Sequence, residues 1–590
     1  MKSFNLKYSV VFTMSAILLA GIYACKKSFL DKIPVGTYSQ TTLANPAGVQ
    51  GLLIGAYSLL DGNGGAGGGW QSASDNWVYG GVVSDDAHKG SDPGDQADIL
   101  SLEQYKVNPS NGYLDPKWSW GYDGIQRANE VLRVMRTLTN FTGLDTTEVS
   151  AEARFLRGHY HFELKRMFNM IPYVDESITY SAGNFNVPNT EDVWPKIEAD
   201  FQFAMTNLPN TQKQFGRANK YAAEAYLAKV YMYEHKYAQA KPLFDDLVSN
   251  GVNSGGVKYA LVPKYHDNFD ASTKNNSETV FAAQMSVNDG SGAANANAGD
   301  VLNFPYNSKY PVSCCGFYQP SFSLANSFKT VVGLPDVNNF NTSDIKNDYG
   351  LKDGDPFTPY TGPIDPRLDW TVGRRGIPFL DWGVVTGYSW VRNQPSGGPY
   401  LPIKNAPYKS QVGTFTDNSS WTPGYTAINY NIIRWADVLL MAAEAEVEVG
   451  SLNQAETYVN LIRNRAANPA GFVHTYVDPN DPSKGFTNVP AANYVVTPYP
   501  TGYFTSQGQA TARSLVQFER KLELGMEGHR FFDLVRYGTA DVVLNAYVAH
   551  ELASGYSLLT GAQFMKGKNE YFPIPQAEID LSHGILKQNP

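Results

Sequence analysis

The densest run of potentially reactive side chains lies in residues 515–538, LVQFERKLELGMEGHRFFDLVRYG, where Glu519, Glu523, Glu527, Arg530, Asp533 and Arg536 form a ladder of charges. Helical neighbours stand three and four residues apart, so Glu527 with Arg530, Arg530 with Asp533 and Asp533 with Arg536 pair in series on one face. Leu515, Phe518, Leu522, Met526 and Phe531 make an apolar stripe on the other face. Taken alone, these charges could be an active site. Beside aromatics this bulky, they read better as paired ions on a helix packed inside other helices, an internal buttress. His529 reads as a packing or hydrogen-bonding residue.

The other candidates for chemistry are sparse. Ser84-Asp85-Asp86 offers two carboxylates, but adjacent residues point apart, and a glycosidase needs two carboxylates set across a cleft. They read as turn, cap or ligand-bonding groups. His159 and His161 are two apart, which splays them on a helix, so they read as packing residues. No GxSxG, HExxH or P-loop lysine occurs. Cys314 and Cys315 are adjacent and cannot staple distant segments; they are free, or form a vicinal disulfide. No cofactor is expected. A structural Ca²⁺ held by loop Asp and Asn oxygens stays unassigned, because no EF-hand spacing is present.

These residues sit in a chain of 590 with formal net charge -9, 13% aromatic content, 53 Gly and 34 Pro. The acidic balance argues against nucleic-acid binding. Low charge content with much Gly and Pro suggests long ordered loops over a scaffold. Residues 1–24 read as a signal peptide: Lys2 and Lys7, then an apolar run at 10–24 too short for a confident membrane span. Ala24 before Cys25 resembles a lipobox, which would make Cys25 an acylated first residue; Tyr23 is bulky for that position. Removing 1–24, with its two lysines, takes the charge from -9 to -11.

Residues 26–50 read as an extended tether and 45–60 as a first helix. The loop 61–69, DGNGGAGGG, leads into Trp70, Trp77 and Tyr79. Residues 118–138 and 150–170 read as amphipathic and central helices, the latter stopped by Pro172. Ala222, Leu227, Tyr231, Ala240 and Phe244 match tetratricopeptide core positions, and Leu439, Ala443, Ala455 and Val459 repeat the pattern, with Gly450 at the turn. Between them, 251–430 has little helical periodicity. Residues 278–287 read as a strand, and the aromatics Tyr306, Tyr310, Phe317 and Tyr318 follow. Residues 467–510 read as another irregular insert and the end of the chain, 572–590, as extended.

Several stretches together resemble one family, the SusD/RagB-like outer-membrane lipoproteins of Bacteroidota. They are the Cys25 segment running into Phe29-Leu30-Asp31, AEARFLRGHYHFELKRMFNMIP (151–172), GFYQPS (316–321), DPRL (365–368), IIRWADVLLMAAEAEVEVG (432–450), ERKLELGMEGHRFFDLVRYG (519–538), FPIP (572–575) and the final KQNP. The resemblance implies a mostly α fold, a tetratricopeptide-like scaffold carrying a large loop-rich region with short strands. It implies an N-terminal part (25–260) and a C-terminal part (261–590) forming one compact unit, with a loop-rich insert at 261–430, then helices at 431–466 and 512–538. It implies a surface-exposed outer-membrane lipoprotein that is not an enzyme. Its partners would be an oligosaccharide, membrane lipid through Cys25, and a SusC-like TonB-dependent transporter that it covers as a lid. A surface glycan hydrolase and a ligand-free adaptor using the repeats are the competing readings.

Sugar binding needs flat apolar faces for C–H groups and polar groups for hydroxyls. Mobile loops on a rigid scaffold are where such groups sit. The loop aromatics Trp70, Trp77, Tyr79, Tyr306, Tyr310, Phe317 and Tyr318 are therefore the candidate ligand residues. Trp435, on a repeat helix, reads as core.

Overall fold

The computed structural model describes residues 40–62, 68–306 and 314–589. The signal segment 1–24, Cys25 with the tether to residue 39, glycine-loop residues 63–67 and Tyr310 lie outside the described residues.

Helices start where short polar side chains can satisfy free amides. Asn45 accepts from the Gly48 amide and opens α1 (Pro46–Tyr57). After α2 (Leu114–Arg136), Asp145 accepts from the amides of Thr147 and Glu148 to open α3 (Thr146–Phe168). Then come α4 (Trp194–Asn207), α5 (Lys220–Tyr233, capped by Asn219) and α6 (Tyr237–Asn250). After the insert, α7 (Trp435–Val449) and α8 (Leu452–Ala466, capped by Ser451) follow. Each of these helices packs on the one before it, from α1 through α8, so the stack continues across the insert. Small residues set its spacing. A Cβ on Gly121 or Gly124 of α2 would lie 2.7 Å from Leu164 or 2.6 Å from the Tyr160 ring of α3, too close for either to stay in place.

The strands are short. In chain order they are β1 (Ala87–Gly90), β2 (Thr279–Ala283), β3 (Phe317–Pro320), β4 (Tyr430–Arg434), β5 (His474–Tyr476) and β6 (Phe486–Pro490), besides two-residue pairings. β1 pairs antiparallel with β3, β2 with β4, and β5 with β6. The expected strand within 278–287 is β2. Residues 431–434, expected to begin a helix, are instead strand β4, whose β-branched Ile432 and Ile433 are buried. Residues 40–50 are largely helical rather than extended, and Gln576–Leu581 forms a helical turn inside the extended end.

The largest departure is in the charge ladder. One helix was expected over 512–538. The chain forms α9 (Gln509–Leu524) and α10 (Arg530–Arg536), with a break at 525–529, and continues into α11 (Ala540–Ala553). Met526 and Gly528 have positive φ, 66° and 70°. A Cβ on Gly528 would collide with the Asp75 carbonyl, and one on Gly80 with the Gly528 carbonyl. The break thus follows from the close approach of residues 75–80. Carbonyls freed at the end of α9 are claimed by side chains: Tyr265 Oη and an Arg434 nitrogen each donate to Glu523 O at 2.8 Å, and Tyr430 Oη donates to Glu527 O at 3.0 Å.

Candidate functional site

The ladder makes fewer local pairs than its spacing implied. Asp533 pairs with Arg536 at 2.9 Å, but Glu527 reaches Arg434 and Lys404, and Arg530 reaches Asp85 at 2.7 Å. Among the described residues, Arg367, Arg434, Arg463, Arg465 and Lys404 face Glu278, Asp365, Glu519, Glu523 and Glu527 in one buried network. Five cations meet five carboxylates, so no net charge is left for a substrate. The stripe residues Leu515, Phe518, Leu522, Met526 and Phe531 are all buried. This stretch is a buttress, as its bulk suggested. His529 is buried too, and burial, with Lys229 nearby, pushes it down to about 4.

The histidines of α3 are likewise internal. His159 Nδ1 lies 2.6 Å from the Tyr226 hydroxyl, and His161 Nε2 accepts from the Val174 amide. Asp85 takes bonds from Lys521 Nζ and Arg530 Nε, both at 2.7 Å. Asp86 accepts from the Met526 amide at 3.0 Å. Trp435 is core, stacked on Tyr259 with centroids 5.0 Å apart.

Four candidate ligand aromatics are withdrawn from the surface. Trp77, Tyr79, Phe317 and Tyr318 are each at most 3% exposed. Trp77 lies 5.7 Å from Tyr318 and 6.1 Å from Phe317, ring to ring, while Tyr79 meets Phe572 edge-on. The β1–β3 pairing brings Trp77 against Phe317 and Tyr318, while Tyr79 is covered by Phe572 from the far end of the chain and donates to Tyr113 O. A buried ring has no face to offer a sugar.

Trp70 and Tyr306 remain accessible, and a connected rim joins them. Trp70 is half-buried beside Tyr113. The Tyr113 hydroxyl donates to Gln96 Oε1 at 2.7 Å. The neighbouring Asp95 accepts from Arg392 at 2.6 Å, and Asp92 pairs with Arg392 at 2.9 Å. The Arg392 guanidinium lies 4.5 Å from the ring centre of Tyr306, which is 43% exposed. Two carboxylates and the Ser91 hydroxyl thus hold Arg392 against the half-open Tyr306 ring. Behind Tyr306, the Phe304 amide donates to Cys314 O and the Cys315 amide to Leu302 O. Cys314 and Cys315 are joined as a vicinal disulfide.

One exposed loop aromatic escaped the sequence reading as a candidate. Trp421 is 61% exposed, and its segment packs on residues 301–304 through Gly424, which approaches Val301 O and the Phe304 ring. A turn closes beneath it, where Asp417 accepts from the amides of Ser419 and Ser420. The signal was present: Ser-Ser before Trp421 and Thr-Pro-Gly after it leave no apolar period that could bury it. Among the described residues no group of three or more His, Cys, Asp or Glu is placed to hold a metal ion, and no helix is long and apolar enough to cross a membrane.

A stack of paired helices carrying a loop-rich region with short strands defines a helical-repeat scaffold protein. The chain belongs to the SusD family, whose model matches residues 277–590, while the model described as "Starch-binding associating with outer membrane" matches 69–232. As a member it is non-catalytic, and the family description places it with the outer membrane. It is 23% identical to SusD-like protein P2 of Formosa agariphila, covering 99% of both chains. Its fold matches a laminarin-binding SusD-like protein, with TM-score 0.63 at 24% identity over 92% of this chain and 99% of that one. It also matches surface glycan-binding protein A of Bacteroides thetaiotaomicron in complex with laminarihexaose, with TM-score 0.63 at 20% identity over 92% and 98%.

Proposed function

We propose that the chain captures an oligosaccharide on the rim formed by Trp70, Tyr306, Arg392 and Trp421. The observation that carries this reading is the open Tyr306 face backed by a guanidinium that two carboxylates hold in place. Such a platform offers a flat apolar surface ringed by hydrogen-bonding groups, which is what a pyranose presents in mirror image. The laminarin and laminarihexaose named for the two structural relatives support the ligand class. In this reading Cys25 is acylated and tethers the protein to the outer membrane. The protein then covers a SusC-like TonB-dependent transporter and passes the sugar to it.

Isothermal titration against a glycan panel that includes laminarihexaose tests the binding step. Heats with micromolar to millimolar affinity and no product are expected. Trp421→Ala and Tyr306→Ala should each weaken binding about tenfold, near 1.4 kcal/mol, without lowering Tm, because both rings are exposed. Flat heats across the panel, or product release, would overturn the reading.

A further inference from the structure

A cleft of about 400 Å³ shares no lining residue with the rim. That size falls within the usual range of small-molecule sites. Trp370, Tyr408, Phe472 and Phe486 supply its aromatic walls, and Phe486, on strand β6, stands 43% exposed at the mouth. His266 lines the cleft although it is only 4% exposed, and neither of its ring nitrogens has a protein hydrogen-bond partner.

The imidazole is fixed where it stands. It stacks on Trp370 with centroids 4.5 Å apart and planes 14° apart, and meets the Tyr408 ring edge-on at 5.6 Å. Trp370 is itself held by its indole N–H, which donates to Gly471 O at 2.7 Å. Burial pushes His266 down to about 4, so near neutral pH it carries one N–H donor and one bare nitrogen. Leaving a buried polar atom without a partner costs about 1–3 kcal/mol, and this ring has two. A charged ligand is poorly matched: Lys264 offsets Asp267 at the edge, and Asp270 already accepts from Ser272 and Gln411.

We infer that this cleft is a second carbohydrate site, which takes one pyranose unit between its aromatic walls and bonds a ring hydroxyl through His266. The ligand class rests on the binding reading given above; the place and the residues do not. Two separated sites on one rigid chain would hold a long glycan at two points, and avidity would exceed either affinity.

Saturation-transfer NMR with methyl gluco-, galacto-, manno- and xylopyranosides tests it. The background is Tyr306→Ala/Trp421→Ala, which removes the rim platform. Signal from at least one glycoside should survive there. It should vanish on adding His266→Phe, which keeps the stacking ring and removes both nitrogens, and should fall several-fold with Phe486→Ala. His266→Phe is expected to fold, since it deletes only unpartnered atoms. Should it fail to, Phe472→Ala, at a partly open position of the aromatic wall, carries the test by the same loss of signal. No transfer from any glycoside in the double variant would mean that only water fills the cleft, overturning the inference; undiminished transfer after His266→Phe would do the same. Either result leaves the rim reading intact, because that reading fails only if the unaltered protein gives flat heats.

Discussion

Asp85 and Asp86 are neighbours, both buried, and they titrate in opposite directions. Burial alone would raise Asp85, but the Arg530 guanidinium and Lys521 ammonium beside it hold it well below the usual carboxylate range. Burial, together with the charge of Asp85, pushes Asp86 up to about 7. An acid raised in the native state favours folding below its unfolded pKa, near 4, and that contribution is lost as pH rises through 7. Asn at position 86 keeps an oxygen for the Met526 amide and cannot ionise. The stability of Asp86→Asn relative to the unaltered protein should therefore rise by about 2 kcal/mol between about pH 5.5 and about pH 8.5, at 1.4 kcal/mol per pKa unit. Urea titrations at the two pH values measure it; a difference that stays flat or shrinks would contradict the assignment. The sequence shows two acids in a row and so excludes a glycosidase pair, but their partners lie more than four hundred residues away, beyond any local pattern. Trp77 and Tyr318 failed for the same reason: whether a ring is core or platform depends on which distant segment covers it.

Helices were the most legible elements, because caps and apolar period act within a few residues. Asn45, Asp145 and Asn219 mark three starts, and the repeat spacing around Ala222 and Ala443 locates α5 to α8. The break between α9 and α10 was hidden. Its charges run on in helical register, and Gly525 and Gly528 alone do not force an end, since single glycines cost a helix only about 1 kcal/mol. What ends it is the approach of the Asp75 backbone and the capture of its carbonyls by Tyr265, Tyr430 and Arg434. Glu523 is the hub of the packing that results, bonded to Arg367, Arg434 and Arg465. Glu523→Ala takes one carboxylate from each of three buried guanidinium groups, leaving the network one negative charge short, at a cost of about 3–5 kcal/mol. Glu523→Gln, which keeps the shape and an acceptor, should cost less. Denaturant midpoints rank the two, and equal midpoints would show that the network is not a unit.

At the scale of the molecule, the two family matches cover 69–232 and 277–590, and contacts run freely between the two parts of the chain. β2 of the insert pairs with β4 just before α7. Lys229 of α5 reaches Asp437 of α7 at 3.1 Å, both buried. Asn589 donates to Phe168 O at the end of α3, and Asn189 donates to Lys587 O. One apolar core runs from Val49 in α1 to Leu586 near the other end of the chain. Cutting at residue 260 would remove Asp437, the partner of Lys229, and open the apolar α5 and α6 faces that α7 covers. Residues 42–260 expressed alone should therefore be helical in part but lack a cooperative transition, while the full chain should melt in a single calorimetric event. Adding the glycan should stabilise the whole molecule by RT ln(1 + [L]/Kd) and so move that one event upward, rather than splitting off a ligand-stabilised part. Two resolved transitions, or a folded 42–260 fragment with its own sharp melt, would show that the scaffold and the loop-rich region are independent. The rim aromatics would then sit on a separately folding module instead of on loops held rigid by the helical stack.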